Sequence, residues 1–211
     1  MTTSLLDFLP MPAGKPYFQP DETILTYDRY LHERGRLIDA NLYNNMAQSI
    51  CESLKFQLYE HSHAFSDNGV THAELDSTLA ELYHNRGVIA CGASDISEAL
   101  RNLTIFHDMM QKEFGENTQR TDMRLGLACN ELGFAYMLRE DWTQGEAYFL
   151  RSIELLQQLD DFEPVLISLP LVNLGYAYWL EGRLDEAAKV LERGVGDRER
   201  KYGIHDRISF M

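Results

Sequence analysis

The residues able to do chemistry are scattered along this chain. His61-Ser62-His63 offers two imidazoles that could begin a metal site. Two positions apart on a helix, however, such side chains diverge by about 200°, and no cysteine or carboxylate pair stands in register to complete a tetrahedral set. His84-Asn85-Arg86 could line a polar pocket, but no second cluster converges on it. The acidic pairs Glu140-Asp141 and Asp160-Asp161 fall between helical patterns, where carboxylates accept from free backbone N–H groups at helix starts. Cys51, Cys91 and Cys129 are too few and too widely spaced for a disulfide framework or a zinc site. Each lies in a helical pattern, where a free thiol packs as a small apolar group. No phosphate loop, nucleophile elbow or dinucleotide fingerprint occurs. The sequence therefore predicts no catalytic residues, no metal and no cofactor, and is read as a non-enzyme.

The elements that carry these residues follow a repeat. Leu132, Gly133 and Tyr136 recur as Leu174, Gly175 and Tyr178, 42 residues on at every anchor. At the same offset Gly145, Phe149 and Ser152 fall over Ala187, Leu191 and Gly194. A small residue placed where two helices cross, with a large one filling the gap a turn away, builds a close-packed seam. A weaker copy precedes these: Gly87, Ala99 and Leu103 stand 46 residues before Gly133, Gly145 and Phe149. Phe114-Gly115 and Tyr202-Gly203, 88 residues apart, end the first and last copies in the same way. Glycine can take the left-handed closing conformation there.

In chain order, residues 1–20 carry Pro10, Pro12, Pro16 and Pro20 among aromatic residues and read as an extended arm. A helical extension spans 21–70, starting at Asp21-Glu22 and containing a long apolar pattern over 37–64. The turn cluster 66–69 ends it. Helix pairs are then expected over 71–115, 121–160 and 164–203, within a unit of 71–211. Thr71-x-x-Glu74 and Asp95-x-x-Glu98 read as capping boxes. Pro164 suits a first helical turn, whereas Pro170 should kink its helix or delay the regular part. Arg207-Ile208-Ser209-Phe210-Met211 is read as the truncated start of a fourth pair or a cap folding back.

This pattern resembles the tetratricopeptide repeat (TPR), in a longer variety similar to that of kinesin light chains. Leu171, Leu174, Gly175, Tyr178, Ala187, Leu191 and Gly194 fill the signature, and Cys129, Leu132, Gly133, Tyr136, Gly145, Phe149 and Ser152 fill it more loosely. The resemblance implies an all-α, right-handed superhelix of antiparallel helix pairs, with the first helix of each pair lining a concave groove. Carried onto this chain, the lining is Glu81, His84, Val88, Cys91 and Gly92 in the first pair. In the second it is Leu127, Asn130, Phe134, Met137 and Leu138, and in the third Leu169, Val172, Tyr176, Trp179 and Leu180. The Lys, Asn and Arg that clamp a terminal carboxylate in some members are missing, so chaperone-tail binding is not expected. Phe134, Met137, Tyr176 and Trp179 would wall an apolar, aromatic groove, unless the 37–64 helix or the arm covers it from within.

The expected function is accordingly protein interaction: a scaffold or regulatory domain binding a helical or extended apolar peptide. The alternative is a sensor for a small apolar molecule, or a helical enzyme, using the same groove. A formal charge of −14 over 211 residues argues against nucleic acid and anionic membrane surfaces, and favours a basic or neutral protein partner. The start lacks the basic flank and uninterrupted apolar run of a secretory signal, and no stretch is apolar enough to span a bilayer. A cytoplasmic or nuclear location is expected.

Overall fold

The computed structural model describes residues 37–60, 71–115 and 122–203. The Pro-rich arm, the helix expected from Asp21, His61 and His63, the turn at 66–69 and the segment after Gly203 lie outside the described residues. Within them every regular element is helical. The α-helices are α1 (Leu37–Glu60), α2 (His72–Gly92), α3 (Ile96–Met110), α4 (Met123–Leu138), α5 (Trp142–Gln157), α6 (Ser168–Leu180) and α7 (Leu184–Tyr202). One π-turn (Gln111–Gly115) extends α3, and one 3-10 turn (Pro164–Ile167) leads into α6. The pairs α2/α3, α4/α5 and α6/α7 stack into an all-α superhelical repeat, each second helix also packing on the next pair's first helix.

The helix starts are written locally. Thr71 Oγ1 accepts from the Glu74 N–H at 3.2 Å, and Glu74 Oε2 accepts from the Thr71 N–H at 2.7 Å, completing the capping box. Asp95 accepts from the Glu98 N–H at 3.1 Å, but the Glu98 carboxylate turns to Arg86 at 2.8 Å and to Arg101. Only half of the second expected box forms, because two arginines outbid a single backbone N–H. Asp122 and Asp141 cap α4 and α5, while Asp160 and Asp161 sit in the turn before Pro164 and cap nothing. Pro164 opens the 3-10 turn, and regular α-helix begins only at Ser168. Pro170 is then the third residue of α6, where a missing N–H costs nothing because first-turn donors have no partner inside the helix.

Within each pair a glycine lets the backbones meet. A Cβ added at Gly87 would lie 2.4 Å from Leu103, at Gly133 2.8 Å from the Phe149 ring, and at Gly175 2.5 Å from Leu191. Gly145 lies opposite, its added Cβ 3.2 Å from the Gly133 carbonyl oxygen. Leu103, Phe149, Leu132 and Leu174 are buried along this seam. The chain closes α7 at Gly203 with φ of 88°, a backbone that suits glycine.

The long helix α1 lays Ala40, Ala47 and Cys51 on α2, and Asn44 Nδ2 donates to the Leu82 carbonyl at 3.0 Å. Among the described residues it packs on α2 and on no other helix. It therefore abuts the first pair and does not lie over α4 or α6. No described helix is long and apolar enough to cross a membrane.

Candidate functional site

The first helices α2, α4 and α6 share one open face, built by rows of equivalent residues. Residues spaced four, three and four apart stay on one side of a helix. Three such stripes are Glu81, Asn85, Val88 and Gly92 on α2; Leu127, Glu131, Phe134 and Leu138 on α4; and Leu169, Asn173, Tyr176 and Leu180 on α6. Every one of these twelve residues keeps some solvent access. The apolar members are openly exposed toward α6: Leu138 at 37%, Leu169 at 44%, Tyr176 at 45% and Leu180 at 42%. Burying such a row against a partner is the source of affinity in most interfaces.

The other residues expected to line the groove divide between the buried seams and the open side. His84 packs at a tilt against the Phe106 ring of α3, centroids 4.9 Å apart. Asn130 is 2% exposed, and its Oδ1 accepts from Asn173 Nδ2 at 3.0 Å. Val172 leans to α7, its Cγ2 within 3.4 Å of where a Gly194 side chain would begin. Met137 is 2% exposed and packs with Phe149, Leu171 and Leu174. The expected wall at Asn130 and Met137 is thus corrected: both point into the seam toward α6, which covers them. Phe134 is intermediate, one side packed on that core and the other open. Trp179, the α6 counterpart of Met137, is 55% exposed and stacks on Tyr176 at 5.7 Å. It stays open because no further helix follows α6 on that side among the described residues.

A polar row runs through this apolar face: Asn85, Glu131 and Asn173, one from each first helix. Asn85 Nδ2 is buried and has no hydrogen-bond acceptor among the described residues. Glu131 Oε1 accepts from Asn130 Nδ2 at 3.3 Å. Burial pushes the Glu131 carboxyl above the usual carboxylate range, and the Asn130 hydrogen bond only partly opposes it. Burial, with the Glu131 charge next, pushes the Cys91 thiol up to about 12. The repeat offsets held the signal for this row, since Asn85, Glu131 and Asn173 are themselves 46 and 42 residues apart. A cleft of about 150 Å³ lies away from the row, between α1 and the first pair, lined by Asn41, Arg86, Ile89, Asp95 and Glu98 among others.

No family model matches the chain. It is 27% identical over 128 residues to Protein KINESIN LIGHT CHAIN-RELATED 2 of Arabidopsis thaliana, covering 60% of this chain and 19% of that one. The chain thus spans about a fifth of the length of the curated relative it matches. The crystal structure of BtubC (BKLC) from P. vanneervenii superposes with a TM-score of 0.61 at 19% identity, over 87% of this chain and 65% of that chain. The doubled Leu-Gly-Tyr frame, the stacked antiparallel pairs and these two likenesses identify the chain as a repeat protein of tetratricopeptide-like fold.

Proposed function

We propose that this chain is a protein-interaction module, a scaffold or regulatory part that takes an apolar segment of a partner protein along the shared face of α2, α4 and α6. The observation that carries this reading is the exposed row of Leu138, Leu169, Tyr176 and Leu180 on adjacent first helices. Isolated exposed apolar residues are ordinary on a soluble surface, but a contiguous set on one face marks a contact site. The stack of Tyr176 on Trp179 supplies rigid aromatic area that loses little side-chain entropy on binding. The alternative, a small apolar ligand, calls for an enclosed site of roughly 300–1,000 Å³. The cleft beside α1, about 150 Å³ and lined by Arg86, Asp95 and Glu98, lies away from the shared face and is too small and too polar for such a ligand.

Affinity purification with the full chain as bait, read by quantitative mass spectrometry, tests this. The double variant Leu138→Asp with Tyr176→Asp, at unchanged helicity, should lose the proteins that the wild type enriches. Retention of the same set by the double variant would refute the assignment of the face.

A further inference from the structure

We infer that Glu131 is the specificity-determining residue of this face, and that it selects a partner segment bearing a lysine or arginine between apolar side chains. This rests on the interaction reading above and adds to it the charge of the ligand.

Glu131 sits at the middle of the row Asn85, Glu131 and Asn173, on the central first helix, with Leu127 and Phe134 beside it on the same stripe. Several carboxylates that are as little exposed already hold a cation. Glu98 pairs with Arg86 at 2.8 Å, Asp122 with Arg124 at 3.1 Å, and Glu146 with Arg183 at 2.8 Å. Glu131 has no cation among the described residues, and its carboxylate accepts only the 3.3 Å hydrogen bond from Asn130 Nδ2 there. A carboxylate in a partly dehydrated, apolar setting gains more from an approaching ammonium or guanidinium than one in bulk water does, because the local dielectric is lower. The charge of the whole chain acts in the same direction: 33 acidic residues against 19 basic ones attract a basic segment and repel an acidic one.

The neighbours of Glu131 in the row serve the backbone of such a segment. Asn85 Nδ2, one helix away on α2, is a buried donor with no acceptor among the described residues, and it meets a carbonyl of an extended chain once the Asn85 side chain turns outward. Leu138, Leu169, Tyr176 and Leu180, all exposed, receive the apolar side chains that follow the cation. The occupant is therefore an extended basic-apolar segment of another protein. An acidic segment is excluded by repulsion at Glu131.

The test uses the full chain and pools of short peptides, random except for one fixed central residue: Lys, Arg, Gln or Glu. Fluorescence anisotropy should find the Lys and Arg pools bound about tenfold more tightly than the Glu pool, the size of effect expected for one well-placed charge pair. Glu131→Gln, which keeps the side-chain shape, should bring that ratio close to one. Glu131→Lys should invert it. Tyr176→Ala should weaken all four pools together and leave the ratio unchanged. If the pools bind and Glu131→Gln leaves the ratio as in the wild type, the role of Glu131 is overturned while the interaction face stands. If no pool binds, the interaction face falls, and the role of Glu131 falls with it. Thermal melts of each variant confirm that the fold is retained.

Discussion

Asn173 on α6 donates through Nδ2 to Oδ1 of Asn130 on α4 at 3.0 Å, across the seam between the second and third pairs. Asn130 is 2% exposed, so the bond is made where water cannot replace it. Asn130→Ala should cost about 1 kcal/mol, since it removes the bond but leaves an Asn173 amide that is partly exposed and can turn to solvent. Asn173→Ala should cost more, about 1–3 kcal/mol, because it leaves the buried Asn130 Oδ1 without a donor. Urea denaturation of the two single variants and the double should give a coupling of roughly 1 kcal/mol. Additive losses would mean that the two amides act independently.

The glycine seams predict substitutions of opposite sign. Gly175→Ala places a methyl 2.5 Å from Leu191 and 3.1 Å from Val190, so α6 and α7 must separate or Leu191 must leave its rotamer. A loss of about 1–3 kcal/mol is expected. Gly133→Ala should behave alike, meeting the Phe149 ring at 2.8 Å and the Gly145 carbonyl at 3.1 Å. Gly196, inside α7, has nothing within 4 Å of its added Cβ and no positive φ. Gly196→Ala should stabilise the fold by up to about 1 kcal/mol through helix propensity alone. Thermal melts of the three variants separate the cases.

Two carboxyls should give the stability curve opposite slopes with pH. The Arg183 hydrogen bond, with help from the Tyr178 hydroxyl at 2.7 Å, holds Glu146 below the ordinary 4.5. Its contribution is present above pH 4.5 and disappears as pH falls through the lower folded value. The partners are 31% and 28% exposed, so solvent screening keeps the contribution of the pair small. Glu131 is raised above 4.5 by burial, so the folded state binds its proton more tightly than the unfolded chain does. Its favourable contribution is complete below pH 4.5 and is lost as pH rises through the folded value. Glu131→Gln should therefore be more stable than wild type at pH 7, and the difference should vanish below pH 4.5. Glu146→Gln should be less stable at pH 7, with the difference shrinking in acid. Chemical denaturation at both pH values checks each sign.

The frame was legible because Leu132-Gly133-x-x-Tyr136 and its copy encode a close helix crossing, and only glycine permits the 2.8 and 2.5 Å approaches at Gly133 and Gly175. The caps at Thr71 and Asp141, and the delayed start of α6 before Pro170, follow from local chemistry that needs no tertiary context. The open face was legible only in part. Met137 and Trp179 hold the same place in consecutive copies, yet one is 2% and the other 55% exposed. What differs is whether, among the described residues, a further first helix stacks beyond them, which is a property of neighbours and not of the residue. Glu131 escaped notice for the reverse reason: the polar row joins residues 46 and 42 positions apart that do not belong to the apolar signature.

That contrast between Met137 and Trp179 makes the last prediction. Met137→Ala empties a volume shared with Phe149, Leu171 and Leu174 and should cost about 2–5 kcal/mol. Trp179→Ala removes a side chain that is 55% exposed and touches chiefly Tyr176. It should change stability by less than about 1 kcal/mol, the scale of one aromatic pair. Phe134→Ala should fall between them, because only one side of its ring is buried. If Trp179→Ala instead unfolds the chain at the cost expected for Met137, the tryptophan is covered by structure from elsewhere in the protein and does not belong to an open face. Urea melts of the three variants, read by circular dichroism, order them directly, and only Trp179→Ala leaves the fold intact enough to isolate an effect on partner binding.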